Sequence, residues 1–152
     1  IGTYATEAQA APVGTASPMR ITNVSVSNGI TCTVPDSKFY FTTPGIYNIQ
    51  FSAQLLNFTT SDDNVTIWAR LNGTDLAASA GIEQVNAKHG SAPGARITSW
   101  NYVLSVTAGQ YFQLAWTTDS GNSVISTYPA GTSPVHPASP GVILTATFVS
   151  SS

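Results

Sequence analysis

The chain has 152 residues, of which 42% are apolar and only 8% are charged, against roughly 25% charged residues in an average soluble protein. Its five Lys or Arg residues stand singly along the chain, and seven Asp or Glu residues bring the net charge to −2. These numbers exclude a coiled coil and nucleic-acid binding, which need many or clustered charges. No apolar run approaches the ~18 residues of a membrane-spanning helix, so we expect no membrane span.

The first 18 residues have no sustained hydrophobic period and contain two prolines, Pro12 and Pro18. This composition predicts a linker or an N-terminal arm over residues 1–18, lying on a neighbour, and a folded domain over residues 19–152. The chain begins at Ile1 without a methionine or an apolar signal stretch, so we interpret it as a fragment of something longer.

Short alternating segments follow from residue 21 to the end of the chain. In the clearest of them, residues 47–55, five apolar positions alternate with four polar ones without an exception, as in a strand with one buried face. Further strands are predicted at residues 21–26, 30–34, 39–41, 65–71, 97–106, 112–116, 123–128 and 142–149.

Turn signals separate these strands. The Asn-Gly dipeptides at 28–29 and 72–73 are typical of hairpins. Residues 74–81 are the one stretch that favours a helical turn, and residues 129–141, with four prolines, predict a rigid irregular loop. About eight strands with turns every ~8–12 residues indicate a single antiparallel all-β sandwich or barrel.

Residue patterns for catalysis or metal binding are scarce. His89 and His136 belong to no catalytic or ligand motif, and we interpret both as loop residues. Adjacent carboxylates at Asp62 and Asp63 have the chemistry of a calcium site, but two acids in a solvated turn are far commoner. Cys32 lies in a strand-like alternation, which favours a buried, inert thiol. We therefore predict no enzyme, no metal and no cofactor.

Aromatic and arginine side chains share faces on two predicted strands. Trp68 and Arg70 lie on one face of the strand at 65–71, and Trp100 and Tyr102 share a face with Arg96. Exposed faces of this kind resemble protein interfaces and sugar platforms, whereas the alternative is that both faces of these strands are buried. Because charges are so scarce, Arg70 and Arg96 are our candidates for binding a small anionic ligand at a protomer boundary.

Small uncharged residues recur opposite the apolar faces of the strands, at Ser52, Ala115, Thr145 and Thr147. A sheet surface in contact with water normally carries Lys and Glu, which prevent association. Their absence predicts that copies of the same chain cover a large surface, as in an obligate homo-oligomer.

Several segments resemble the C1q/TNF-like jelly rolls. Residues 41–49, FTTPGIYNI, are similar to the Phe-x-x-Pro-Gly-x-Tyr entry to a central strand of that family. Residues 70–73 resemble its strand ending in an Asn-Gly turn, and residues 104–114 resemble two strands joined by a glycine–acid turn, with Gln110 replacing the acid. The closing strand at 142–149 lacks the usual Phe-Ser-Gly. The resemblance covers residues 39–149.

That resemblance implies an antiparallel two-sheet jelly roll of roughly ten strands, assembled as a tight homotrimer that caps a fibrous stalk. Within the family, the high Ala, Ser, Thr and Gly content is similar to that of the tail-needle knobs of short-tailed enteric phages. It implies a non-enzymatic knob in the virion, at the phage tail tip, which contacts the host cell envelope, joins other tail proteins through an upstream stalk, and takes part in genome delivery and portal plugging. The alternative is a sugar- or small-anion-binding adhesin head on another stalk.

Overall fold

The computed structural model describes residues 1–10 and 13–151. Ala11 and Pro12 of the predicted N-terminal arm, and Ser152 of the predicted domain, lie outside the described residues. All regular elements of this part of the chain are β-strands, so no helix in it could span a membrane. The strands are β1 (Gly2–Ala5), β2 (Gln9–Ala10), β3 (Ser17–Pro18), β4 (Asn23–Val26), β5 (Ile30–Thr33), β6 (Lys38–Phe41), β7 (Gly45–Asn57), β8 (Asp63–Leu71), β9 (Thr74–Asp75), β10 (Gly81–Val85), β11 (Gly94–Val106), β12 (Tyr111–Thr118), β13 (Ser123–Ile125), β14 (Gly131–Thr132), β15 (Val135–His136) and β16 (Val142–Ser150).

Two seven-stranded sheets form a sandwich. The first sheet has the order β2-β13-β7-β16-β1-β4. Strands β13 and β16 pair with successive parts of one edge of the long strand β7, and β11 pairs with its other edge. The second sheet has the order β10-β8-β12-β6-β5, with β3 beside β12 and β9 beside β8. All pairings between these strands are antiparallel, and the chain passes repeatedly from one sheet to the other. The predicted all-β, two-sheet jelly-roll sandwich is confirmed.

The core lies between the sheets and follows the alternation of the sequence. In β7 the inward side chains of Tyr47, Ile49, Phe51, Ala53 and Leu55 are at most 4% exposed. From the second sheet, Phe39 and Phe112 meet edge to face with their ring centroids 6.5 Å apart. Each large side chain buried in this way stabilises the fold by about 1.5–3 kcal/mol. This burial holds the two sheets together.

The N-terminal prediction was wrong for residues 2–5. Instead of a linker, this segment is strand β1, which is hydrogen-bonded between β16 and β4 in the first sheet. Thr3 is 2% exposed and Ala5 is fully buried, so the segment is part of the core. The folded domain therefore starts by residue 2 rather than at residue 19. Hydrophobic periodicity missed it because the strand is four residues long and its inward side chains are small.

The two Asn-Gly dipeptides have different roles. Asn72 and Gly73 form a two-residue hairpin loop between β8 and β9, with φ angles of 50° and 78°, as the type I′ turn requires. Residues 28–29 instead join β4 in the first sheet to β5 in the second, so the hairpin predicted there was wrong. The dipeptide specifies a sharp turn but not which strands pair.

Two local predictions also need correction. Residues 74–81 contain the short strand β9 and turns rather than a helical turn, because Thr74 and Asp75 pair with the end of β8. The proline-rich segment at 129–141 is not irregular throughout, since β14 and β15 form a small separate hairpin within it.

Candidate interaction surfaces

Among the residues that the structure describes, no charged side chain lies on the outer face of the first sheet, which we call the uncharged face. Its side chains are Tyr4 of β1, Asn48, Gln50, Ser52 and Gln54 of β7, Ile97, Ser99, Asn101 and Val103 of β11, and Ile143, Thr145 and Thr147 of β16. The strand register assembles them, because residues paired across an antiparallel ladder point to the same side. One row, for example, runs Ser99, Ser52, Ile143 and Tyr4 across four strands.

Branched apolar side chains stand exposed on this face. Ile97 is 72% exposed, Val103 63% and Ile143 44%. Shallow depressions flank the central strand, between Gln50 and Thr145 on one side and between Gln50 and Asn101 on the other. The face therefore combines uncharged hydrogen-bonding groups with apolar surface, the composition expected of an area that another protein surface covers.

The outer face of the second sheet has a different character. There Trp68, Arg70 and Asp75 form what we call the Trp68–Arg70–Asp75 cluster, at the β8–β9 hairpin. The Trp68 indole N–H donates to Asp75 Oδ1 at 2.7 Å, and the Arg70 Nε–H donates to the same oxygen. The Arg70 guanidinium carbon also lies 5.5 Å from the centroid of the Trp68 ring.

Electrostatics in this cluster favour the ionised carboxylate. The hydrogen bond from Arg70, and then that from Trp68, hold the pKa of Asp75 below its ordinary value. On the same face, Lys38 lies 5.0 Å from the centre of the Tyr111 ring and 3.8 Å from an Asp36 oxygen. This sheet surface therefore carries the charged groups that the uncharged face lacks.

Arg96 lies at a corner of the sandwich, where the edge strands β10 and β11 of the two sheets meet. Its Nε is 3.3 Å from Glu83 Oε1 across this corner. Nearby, the Trp100 ring packs so closely against Gly81 that a Cβ there would lie 2.7 Å from ring atoms. The Trp100 N–H donates to the Tyr102 hydroxyl at 2.6 Å, which donates to the Ser79 carbonyl at 3.0 Å.

The two candidate arginines are not brought together. Arg70 lies in the second sheet and Arg96 in the first, and each pairs with a carboxylate of its own chain. The Trp100 and Tyr102 side chains point into the sandwich, so of the two alternatives left open by the sequence, the buried face is the one found here. Sequence alone could not choose the face because β11 also carries Ile97 and Val103 on its other side.

Three of the four small uncharged positions singled out in the sequence lie on the uncharged face: Ser52, Thr145 and Thr147. Ala115 does not. It lies on β12 between Trp68 and Pro18, and it is fully buried within its own chain.

The acidic loop at residues 62–63 is occupied by hydrogen bonds within the chain. Asp63 is 3% exposed and accepts hydrogen bonds from the backbone and hydroxyl of Ser120 and from the backbone of Ser123. Burial acts to raise its pKa, but these bonds together hold the pKa below the ordinary value. Asp62 accepts from the Ala87 N–H at 2.7 Å. Within residues 1–10 and 13–151, no three His, Cys, Asp or Glu side chains form a group that could hold a metal.

The remaining candidate residues show no reactive setting. Cys32 is half-buried, and burial raises the pKa of its thiol to about 11, which agrees with an inert cysteine. His89 and His136 are exposed.

Comparison with known proteins identifies the fold and no more. No family model matches the chain, and no curated protein matches its sequence. Among solved structures, it is similar to the globular domain of zebrafish complement 1qA protein, with a TM-score of 0.56 and 11% identity, over 99% of this chain and 96% of that one. The chain thus has the jelly-roll fold of a C1q globular domain along its whole length. A fold shared at this identity does not specify what the chain binds.

Proposed function

We propose that this chain is the non-enzymatic, homotrimeric knob at the tip of a phage tail needle or fibre. In this role it lies at the exposed end of the virion, contacts the host cell envelope, and takes part in genome delivery and portal plugging through the stalk that carries it. The support is the C1q-like fold, the scarcity of charge, and the high Ala, Ser, Thr and Gly content, which resembles that of tail-needle knobs.

The uncharged face is the observation that carries the trimer. Four neighbouring strands present Asn, Gln, Ser, Thr, Ile and Val without a single charge, so covering this face buries no unpaired ion. An obligate interface of a few thousand Å2 contributes tens of kcal/mol gross at about 25 cal/mol per Å2 of apolar area, before entropy costs. Such an interface would hold the ends of three stalk chains together.

A specific observation also favours the second candidate, a sugar-binding adhesin head. The Trp68–Arg70–Asp75 cluster lies on the outer face of the second sheet, which a trimer built through the uncharged face leaves open. The anion-binding form of this candidate has less support, because Arg70 and Arg96 already have carboxylate partners.

The first test is the mass of the chain in solution, measured by light scattering from micromolar to nanomolar concentration. We expect a persistent mass of three chains, and a monomer would contradict the trimeric knob. The location needs its own test: antibodies against the chain should label the distal end of the tail in intact virions. Labelling elsewhere in the particle would contradict the role at the tail tip while leaving the trimer intact.

A further inference from the structure

We propose that the Trp68–Arg70–Asp75 cluster binds an uncharged sugar residue of a cell-surface glycan. The inference rests on the proposed function in one respect, namely that the chain is an exposed head whose second sheet faces outward. It goes further in assigning a site and a ligand class.

The cluster is held rigidly before any ligand arrives. It is built on the two-residue hairpin between β8 and β9, and this hairpin is tied to the neighbouring strand β12 by two hydrogen bonds. The Asn72 side chain accepts from the Tyr111 N–H at 2.9 Å, and the Asn72 N–H donates to the Tyr111 carbonyl at 2.8 Å. A site whose side chains are already ordered loses little entropy on binding.

Trp68 supplies the apolar part of the site. Its ring is half-buried on a sheet surface, and its N–H is already satisfied by Asp75, so the ring is fixed in orientation. One face of a sugar ring is made of C–H groups and its rim of hydroxyls. The Arg70 guanidinium lies over the Trp68 ring, 5.5 Å from its centroid, and Asp75 lies at the ring N–H. Aromatic surface next to these polar groups matches that division of apolar and polar surface.

Arg70 and Asp75 supply the polar part. Asp75 is 59% exposed at its side chain, and its Oδ1 receives both internal donors. Among the residues that the structure describes, no hydrogen-bond partner is recorded for Asp75 Oδ2 or for the terminal nitrogens of Arg70. An acceptor thus lies next to donors. Vicinal sugar hydroxyls, each able to donate and to accept, fit such a pair.

Charge decides between an uncharged sugar and an anion. The positive charge of the Arg70 guanidinium and the negative charge of the Asp75 carboxylate cancel. Asp75 remains ionised at neutral pH because its pKa is lowered. An anionic ligand that approached Arg70 would therefore meet the Asp75 charge as well, whereas a neutral polyol would not.

The test begins with an array of uncharged, uronic-acid and sulfated glycans probed with the intact chain. The uncharged glycan that binds best is then titrated while tryptophan fluorescence is recorded. Trp116 is 1% exposed and Trp100 lies in the corner between the sheets, so a change on binding reports mainly Trp68. We expect Arg70→Lys and Asp75→Asn to weaken binding about tenfold or more. Arg96→Lys is the matched control, because it alters the other arginine–carboxylate pair, and it should bind like the unaltered chain.

The inference is overturned if no uncharged glycan binds, if only acidic glycans bind, or if Arg96→Lys weakens binding as much as Arg70→Lys. Light scattering on the same samples separates this inference from the proposed knob. If the chain is a trimer that binds no glycan, only the proposed sugar site is disproved. If the chain is a monomer that binds an uncharged glycan through Arg70 and Asp75, the trimeric knob is disproved and the proposed sugar site is supported.

Discussion

The outer faces of the two sheets are both built from antiparallel strands, but they differ in whether they carry charged side chains. The first sheet presents amide, hydroxyl and branched apolar groups, with Ser52 and Asn101 near its centre. The second presents Arg70, Lys38 and their carboxylate partners, with half-buried aromatic rings beside them. A sheet surface in water needs charge to avoid association, and a covered one is destabilised by it. The unequal placement of so few charges is therefore the reason for proposing that the uncharged face, rather than the second sheet, would meet other chains.

The largest expected effect comes from placing a charge on each face in turn. Ile97 and Ile82 are matched: both are isoleucines on edge strands, and they are 72% and 71% exposed. Ile97→Glu introduces a carboxylate on the uncharged face in every subunit, and each one buried without a partner costs several kcal/mol. We expect light scattering to show the mass falling from three chains to one at micromolar concentration.

Ile82→Glu is the control, because it adds the same charge to the second sheet. It should leave the mass at three chains and change stability by less than about 0.5 kcal/mol, as surface substitutions usually do. If Ile82→Glu dissociated the trimer and Ile97→Glu did not, the two faces would have been assigned the wrong way round.

A smaller effect is expected at the corner that joins the two sheets. Trp100→Ala removes a ring that packs on Phe51, with centroids 4.8 Å apart, and that donates to Tyr102. Loss of a fully buried aromatic side chain costs about 3–5 kcal/mol. Because Trp100 is only partly buried, we expect a loss at or below the lower end of this range, measurable as a lower urea midpoint at unchanged slope.

Arg96→Ala tests the charged half of the same corner. Its ion pair with Glu83 is nearly half-exposed on the arginine side, so we expect a loss of less than about 1 kcal/mol. Equal losses in the two variants would contradict this ranking, because they would show that the ion pair stabilises the corner as much as the ring does.

Sequence alone predicted the fold where one face of a strand was clearly more apolar than the other. In β7, each inward residue is apolar and each outward residue from Asn48 to Gln54 is polar, so its buried face followed directly. Strand β1 has four residues with small inward side chains and no such signal. It is ordered by its two neighbouring strands, and a pattern within the segment could not reveal that.

The candidate site was predictable only in part, for a similar reason. Trp68 and Arg70 are two residues apart on one strand, so their shared face followed from the alternation. Their third partner, Asp75, was missed, because residues 74–81 were expected to form a helical turn. The two-residue hairpin at Asn72-Gly73 places Asp75 opposite Arg70 instead. Whether the face of Trp100 is exposed or buried stayed open at the level of sequence, because β11 has large apolar residues on both sides.

The smallest expected effect is a difference in pH response between the two faces. Hydrogen bonds from Arg70 and Trp68 lower the pKa of Asp75, so its contribution to the cluster is fully present above the ordinary value of 3.8 and is lost as the pH falls through the lowered one. We expect a transition in Trp68 fluorescence centred below pH 3.8 that is absent in Asp75→Asn. In the described part of the chain, no carboxylate, histidine or lysine side chain lies on the uncharged face, so the mass should stay at three chains from about pH 8 to pH 4. A fluorescence midpoint above 3.8 would show that the carboxylate is not stabilised by its two donors. A mass that fell over the same pH range would show that a titrating group lies in the interface, and the uncharged face would then not be the surface that joins the subunits.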